Sequence, residues 1–179
     1  MGVVIMVVDK QFWKKKYSWE KGVNKVKKVI EALKAKGIEA KPFSDDALSE
    51  EFIEETEHEK GEPDLKIKVG DNEEAVLLEV TGPDISMSRD KPLWFRPDKF
   101  EYAERHTDKE IWGAHILESE GDLIRTLKFG TGVKERYKTI HPIIRGTPET
   151  YKEIPADDQN IVSFDDFCEK IKEKEQTST

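Results

Sequence analysis

Residues 63–81 read PDLKIKVGDNEEAVLLEVT and predict a two-stranded hairpin. Apolar residues alternate over about 64–70 and recur over about 75–81, and Gly70-Asp71-Asn72 between these runs supplies turn chemistry. Cross-strand partners share a face, so one register puts six apolar side chains on one buried face. The predicted pairs in this register are Val69 with Val76, Ile67 with Leu78 and Leu65 with Val80.

The opposite face of the hairpin carries polar residues, because successive side chains of a strand alternate. The predicted register brings Asp64 to Thr81 with Glu79 on the diagonal, and a slip of two residues would place Asp64 directly opposite Glu79. Such neighbours lie about 5–8 Å apart, so the two carboxylates can share one hard cation such as Mg²⁺ or Mn²⁺. Glu79 also ends an apolar run, where a carboxylate is costly to bury unless it is paired or bound to metal.

The chain has 179 residues, and we expect a single domain over residues 1–179. The formal net charge of −8 argues against non-specific nucleic-acid binding but leaves room for a local basic groove. The one cysteine, Cys168, fits a reducing compartment, so we expect a cytoplasmic protein. No apolar run reaches the roughly 18 residues of a membrane span. The abundance of Lys and Glu is typical of thermophilic proteins.

The rest of the chain predicts alternating helices and strands. Apolar residues at steps of three and four predict an amphipathic helix over about 17–37, with lysines filling its opposite face. Ser49 is a candidate cap for a second helix that begins near Glu50. Pro97 fits the start of a third helix, which ends near His106, and Ser163 is the expected cap of the last one. Predicted strands outside the hairpin cover residues 2–8, 38–43, 111–117, 123–129 and 140–144, and residues 82–96 are expected to form a loop.

Pro63-Asp64, followed after about a dozen residues by Glu79-Val80-Thr81, resembles the motif of the PD-(D/E)xK nuclease-like superfamily. The layout over about 17–118 is similar to restriction endonuclease-like folds and to archaeal Holliday-junction resolvases. The resemblance implies an α/β fold with a restriction endonuclease-like mixed central sheet flanked by helices. It also implies a divalent-metal-dependent phosphodiesterase that acts on nucleic acid, with DNA as the preferred substrate and a homodimer as one way to reach two strands.

The resemblance assigns roles to individual residues of the motif. Asp64 and Glu79 would bind Mg²⁺ or Mn²⁺, and the backbone carbonyl of Val80 would contribute a further ligand. The motif lysine, which helps to orient or activate the nucleophile, is replaced here by Thr81. Lys99 is the candidate for a lysine that has moved to a nearby helix.

Four further residues are candidates for supporting roles. Lys66 shares the polar face of the hairpin and is a second candidate for the missing lysine or for nucleic-acid binding. Glu20 in the first helix is the preferred extra catalytic acid, with Glu51, Glu54 and Glu55 as alternatives from the acidic segment. Trp94 and Arg96 could stack on bases and bind phosphate, although Trp94 could equally be a core anchor.

Two other functions are consistent with the sequence. The first is a nuclease-like fold that binds nucleic acid or a protein without cutting, which the replacement of the motif lysine by Thr81 favours. The second is a small interaction protein with no nucleic-acid role. The histidines show no metal-ligand spacing, and His115 is expected to be a half-buried, hydrogen-bonded strand residue.

Overall fold

The structure is a computed structural model that describes the backbone of residues 10–44, 48 and 59–177 and the side chains from residue 19 onward. The helices are α1 (Lys10–Ala35), α2 (Pro97–Arg105) and α3 (Phe164–Thr177). The strands are β1 (Ala40–Pro42), β2 (Leu65–Val69), β3 (Asn72–Thr81), β4 (Leu93–Phe95), β5 (Ile111–Leu117), β6 (Leu123–Lys128), β7 (Lys138–Ile140), β8 (Ile143–Ile144), β9 (Thr147–Pro148), β10 (Tyr151–Ile154) and β11 (Ile161–Ser163). Each described helix is too short or too polar to cross a lipid bilayer.

A mixed six-stranded sheet forms the centre of this α/β protein, in the order β1-β2-β3-β5-β6-β11. Strands β3 and β5 run parallel, and the other neighbours are antiparallel. A parallel pair needs a crossover connection, which β4 and α2 provide between the end of β3 and the start of β5. Smaller sheets are formed by β4-β10-β7 and by β8-β9. The predicted mixed central sheet with flanking helices is therefore present.

Helices α1 and α3 cover one face of the central sheet. The six apolar hairpin residues are all buried in this core, which confirms the prediction that they share a face. Val29 and Leu33 of α1 and Phe167 of α3 pack against them and are completely buried. The Asp166 backbone N–H donates to the Ser163 hydroxyl at 3.2 Å, so Ser163 caps α3 as predicted.

Helix α2 and the β4-β10-β7 sheet cover the opposite face. The core on this side is aromatic, with Phe95, Phe100 and Phe129 in mutual contact at ring-centroid distances of 4.5–6.3 Å. Leu77 of β3 and Leu127 of β6 are buried beneath these rings. Glu79 and Lys99 lie on this side of the sheet, next to the aromatic core.

Several predicted boundaries are wrong. The first helix begins at Lys10 rather than near residue 17. Residues 82–96, predicted as a loop, contain β4, which pairs with the distant β10 and has no local signal of its own. The predicted strand 140–144 is split into β7 and β8 around Pro142, whose missing N–H cannot join a ladder. The predictions for residues 2–8 and for the helix near Glu50 lie outside the described residues.

Gly113 of β5 lies against the rings of Phe95 and Phe129, and we expect its substitution to disturb the core. A Cβ atom here would lie 2.5 Å from Phe129 and 2.6 Å from Phe95. Gly113→Ala should therefore lower the free energy of unfolding by about 1–3 kcal/mol, as overpacking does. Gly130→Ala is the control, because no described atom lies within 4 Å of its added Cβ. Urea denaturation measures both, and equal stability of the two variants would contradict this packing.

Candidate active site

The hairpin register brings Asp64 directly opposite Glu79. Leu65 pairs with Leu78, and the Asp64 backbone N–H donates to the Leu78 carbonyl at 3.1 Å. This is the predicted register shifted by two residues. A tight turn at 70–71 sets Val69 opposite Asn72, and a bulge between residues 67 and 69 then moves the ladder to its final pairing. The shift keeps every apolar side chain on its predicted face and brings the two carboxylates together.

Glu79 is a buried carboxylate with only 7% of its surface exposed. Its neighbour in β5 is Gly113, over which Phe95 packs, so apolar surface replaces water beside the carboxylate. Burial and the nearby charge of Asp64 raise the pKa of Glu79 well above its ordinary value, and the positive charge of Lys99 opposes the rise. The site thus holds two carboxylates that repel each other and one cation that offsets them.

Lys99 supplies this cation from the first turn of α2. Its Nζ atom lies 2.9 Å from Oε2 of Glu79, and its side chain is 14% exposed. It also donates a hydrogen bond to the backbone carbonyl of Glu62 at 3.0 Å. Burial lowers the pKa of Lys99, but the charges of Glu79 and Asp64 outweigh burial, and the net shift is upward. Lys99 therefore stays protonated. It joins α2 to β3 through Glu79 and to the segment before β2 through Glu62.

The segment before Asp64 is held against α2. Gly61 has a φ of +89°, and a Cβ atom there would lie 2.1 Å from the Asp98 carbonyl oxygen, so only glycine permits this approach. Arg105 Nε donates to the Glu59 carboxylate at 3.0 Å and pins the beginning of the segment to the end of the helix. The Val80 backbone N–H then donates to Oδ2 of Asp64 at 2.8 Å. These contacts fix where the Asp64 carboxylate lies.

The other motif positions lie around the carboxylate pair. Carbonyl groups two residues apart on a strand point to the same side. The Leu78 carbonyl accepts a hydrogen bond from Asp64, so the Val80 carbonyl also points toward the Asp64 side of β3. Thr81 is half-buried at the end of β3, in register with His115 of β5. Lys66 lies half-exposed on β2, opposite Leu77.

Three other predicted residues lie farther from the pair. Glu20 is exposed on α1, the helix that packs on the opposite face of the sheet from Glu79. Trp94 is half-buried, stacks on Tyr151 at a centroid distance of 5.7 Å and donates its indole N–H to a nearby carboxylate. Arg96 precedes α2 and forms an ion pair with Asp98 at 2.7 Å, and its charge also acts on Lys99. The alternative acids at positions 51, 54 and 55 lie outside the described residues.

The oxygen atoms of the site fit a hard divalent cation. Oε2 of Glu79 is buried and accepts no well-oriented hydrogen bond, although the Lys99 ammonium lies within contact distance. With Asp64 and the Val80 carbonyl it offers the all-oxygen donor set that Mg²⁺ and Mn²⁺ prefer, and Mg²⁺ usually retains several waters. Among the residues that the structure describes, no third Asp, Glu, His or Cys joins the pair.

Two features of this end of the sheet were not foreseen. Lys25, expected on the solvated face of α1, is 3% exposed and pairs with Asp84 at 2.6 Å. His115, predicted to be half-buried and hydrogen-bonded, is instead only 5% exposed, and its Nδ1 atom has no hydrogen-bond partner among the described residues. Burial and the charge of Arg125 lower the pKa of His115 to about 3, so the ring is neutral. A histidine within the apolar run of β5 was the one available signal.

In comparisons with known proteins, no family model matches the chain, and no curated protein matches it either.

Removing the cation of the site should destabilise the fold through Glu79. Lys99→Met leaves a buried carboxylate without its partner, a change that costs about 3–5 kcal/mol when the carboxylate is ionised. In a Glu79→Gln background the same substitution should cost less, and the coupling energy should exceed about 1 kcal/mol. Urea denaturation of the four proteins of this cycle measures the coupling. Additive effects would mean that the 2.9 Å contact contributes nothing to stability.

The raised pKa of Glu79 predicts a pH-dependent stability. Above the ordinary value of 4.5, the unfolded chain has lost a proton that the folded protein still holds at Glu79. Stability must then fall as the pH rises through the raised pKa. The free energy of unfolding of the metal-free wild type, relative to Glu79→Gln, should decrease as the pH rises above the ordinary carboxyl pKa of 4.5. A difference that is constant with pH would show that Glu79 titrates normally.

Proposed function

We propose that this protein is a phosphodiesterase that uses Mg²⁺ or Mn²⁺ to cleave nucleic acid, with DNA as the preferred substrate. The observation that carries the proposal is the pairing of half-buried Asp64 with buried Glu79, which the Lys99 ammonium faces at 2.9 Å. Two opposed carboxylates in a partly dry site are expensive for a fold unless they serve a purpose. The chemistry of their oxygens, hard and anionic, fits a cation that binds phosphate.

Each residue of the site has a defined part in this proposal. Asp64, Glu79 and the carbonyl of Val80 would hold the ion, which would supply an activated water and neutralise charge on the scissile phosphate. Lys99 favours the ionised form of Glu79 and lies where it can orient a water molecule or contact the phosphate. Thr81 lines the site at the position of the motif lysine, and its hydroxyl group can donate a hydrogen bond but cannot supply a positive charge.

The fold supports the proposal through its order of elements. A helix precedes the hairpin, the hairpin carries the two carboxylates, and α2 then crosses to a parallel strand. This is the order expected of a restriction endonuclease-like fold, which is part of the proposal. Arg96 at the start of α2 lies beside Lys99, and Lys66 lies on the Asp64 side of the hairpin, so both can meet a phosphate backbone that crosses the pair.

One observation favours a second function, in which the fold binds nucleic acid without cutting it. The Lys99 ammonium is already engaged by Glu79 and by the Glu62 carbonyl, and Thr81 cannot replace a lysine. If Lys99 serves only to neutralise the carboxylates, the site lacks a group that activates the nucleophile. This protein would then bind the same substrates in EDTA and form no product with any metal.

The test is cleavage of labelled single-stranded, duplex and branched DNA and RNA in Mg²⁺, Mn²⁺ or EDTA. Wild type should cut only with metal. Glu79→Gln and Asp64→Asn should each lose more than about 100-fold in rate, because even the partners of metal ligands are worth about 10–100-fold. The same variants should lose the heat of Mn²⁺ binding in calorimetry.

Glu110→Gln is the matched control for these variants. Glu110 is also a partly buried carboxylate next to a central strand, and it pairs with Lys174 at 2.5 Å on another part of the sheet. Its substitution should leave both cleavage and Mn²⁺ binding unchanged. Cleavage that survives in Glu79→Gln would refute the metal-site assignment. Binding without cleavage in wild type would favour the second function.

A further inference from the structure

A second polar cluster lies just beyond the end of β3, where two cations contact the carboxylate of Asp84 and a third contacts its backbone. Lys25 Nζ lies 2.6 Å from Oδ1 of Asp84, and Arg145 Nη2 lies 2.7 Å from Oδ2. Lys21 Nζ donates to the backbone carbonyl of Asp84 at 3.0 Å. The two carboxylate oxygens are thus each bound by a charged donor, which is the arrangement that a phosphate group receives from basic side chains.

The cluster continues into a larger network of charged side chains. The chain carries a formal net charge of −8. Among the described residues, ion pairs and hydrogen bonds between α1, the loop after β3, the turn after β5, β6 and the β8–β9 hairpin involve six basic and four acidic residues. Two of the basic side chains, Lys21 and Arg125, donate to backbone carbonyls. The basic members are Lys21, Lys25, Lys28, Arg89, Arg125 and Arg145, and the acidic members are Asp84, Glu118, Glu120 and Asp122. Six basic side chains are thus gathered in one network of a chain whose net charge is negative.

Arg145 reaches Asp84 from an unfavourable backbone position. It occupies the two-residue turn between β8 and β9 with a φ of +51°, and Gly146 follows with a φ of +78°. Asn-Gly or Asp-Gly is preferred in such turns, because a long side chain gains nothing locally from the left-handed region. A strained residue whose side chain is aimed at a specific partner points to a function for that contact.

The cluster lies a short distance along the chain from the carboxylate pair. Asp84 is five residues beyond Glu79, so the two lie within about 18 Å even in an extended chain. Charges from both regions act on Tyr151 of β10. Burial and the Glu149 carboxylate raise the pKa of its hydroxyl, Asp84 adds to the rise, and Arg96 beside Lys99 opposes it. A strand that rises about 3.4 Å per nucleotide covers this separation in roughly five nucleotides.

The two most exposed large apolar side chains of the described residues flank the same ion pair. Ile85, adjacent to Asp84, is 72% exposed, and Ile143, two residues before Arg145, is 73% exposed. Apolar side chains next to a cationic cluster suit a ligand that carries both phosphate and apolar ring surface, as a nucleic-acid strand does.

We propose that Lys21, Lys25 and Arg145 form a phosphate-binding subsite for the nucleic-acid strand, and that the Asp84 carboxylate occupies this subsite in the free protein. The subsite would hold a backbone phosphate within about five nucleotides of the scissile one. The proposal rests on the proposed function for the identity of the ligand. When the phosphate binds, the Asp84 carboxylate gives up its contacts to Lys25 and Arg145, and the phosphate oxygens accept them instead.

This exchange predicts that Asp84→Asn binds nucleic acid more tightly than wild type does. Binding of labelled single-stranded DNA is measured in EDTA, where no cleavage occurs, over about 50–200 mM salt. Asp84→Asn should gain about threefold in affinity, and the slope of log affinity against log salt should steepen by about 0.7, as for one additional phosphate contact. Arg145→Met should lose affinity, and its slope should become shallower by a similar amount.

Asp165→Asn is the matched control, since it removes one negative charge from an ion pair with a lysine just beyond the C-terminal end of α1. Asp165 contacts Lys36 at 2.7 Å and is 78% exposed, so its substitution should leave the salt slope unchanged. If Asp84→Asn does not fold, Arg145→Met decides, because this residue lies in a surface turn. Unchanged binding in the variants that fold, or no binding by wild type at low salt, would overturn the subsite. If the wild type shows no metal-dependent cleavage but the variants change binding as predicted, only the proposed phosphodiesterase activity is overturned.

Discussion

A carboxylate buried beside apolar rings needs a cation within contact distance, and this requirement at Glu79 organises much of the protein. The cation is Lys99, so α2 must begin where its first turn overlies β3. The same ammonium holds the Glu62 carbonyl, so the segment before the hairpin must lie along α2, which the glycine at position 61 permits. Asp64 then lies opposite Glu79, so the ion pair between Lys99 and Glu79 positions the whole polar site.

The sequence predicted those parts of the fold whose signals are local. Alternation gave the two faces of the hairpin, and all six apolar residues of the predicted face are buried together. Pro97 marked the start of α2, and this boundary placed Lys99 in the first turn of the helix, on the side of the hairpin. The central sheet is mixed, as expected. In these places propensity, periodicity and turn chemistry agree with the tertiary structure, so short windows of sequence were sufficient.

The remainder depended on contacts between residues far apart in the chain. The register of β2 against β3 differs from the predicted one by two residues because of a two-residue turn and a bulge. Apolar alternation fixes neither the length of the turn nor the presence of the bulge. Strand β4 exists because β10 pairs with it from nearly 60 residues away. The sequence pattern predicts Lys25 to be one more surface lysine of α1, yet Asp84 and Glu118, from two other parts of the chain, lie within 2.6 and 3.6 Å of its ammonium group. His115 gave a weak signal, since a strand buried on both faces has no alternation against which a polar residue stands out.

The way in which Lys99 joins the hairpin to α2 also has a consequence for the order of folding. The hairpin closes through a two-residue turn, and such local structures form in about 1–10 μs. When it closes alone, two carboxylates face each other, which is unfavourable until the helix from residues 97–105 docks. The ion pair to Glu79 therefore belongs to the native side of the folding barrier. Changes at Lys99 should act on the unfolding rate, and so on how long a single molecule stays native, more than on how quickly it folds.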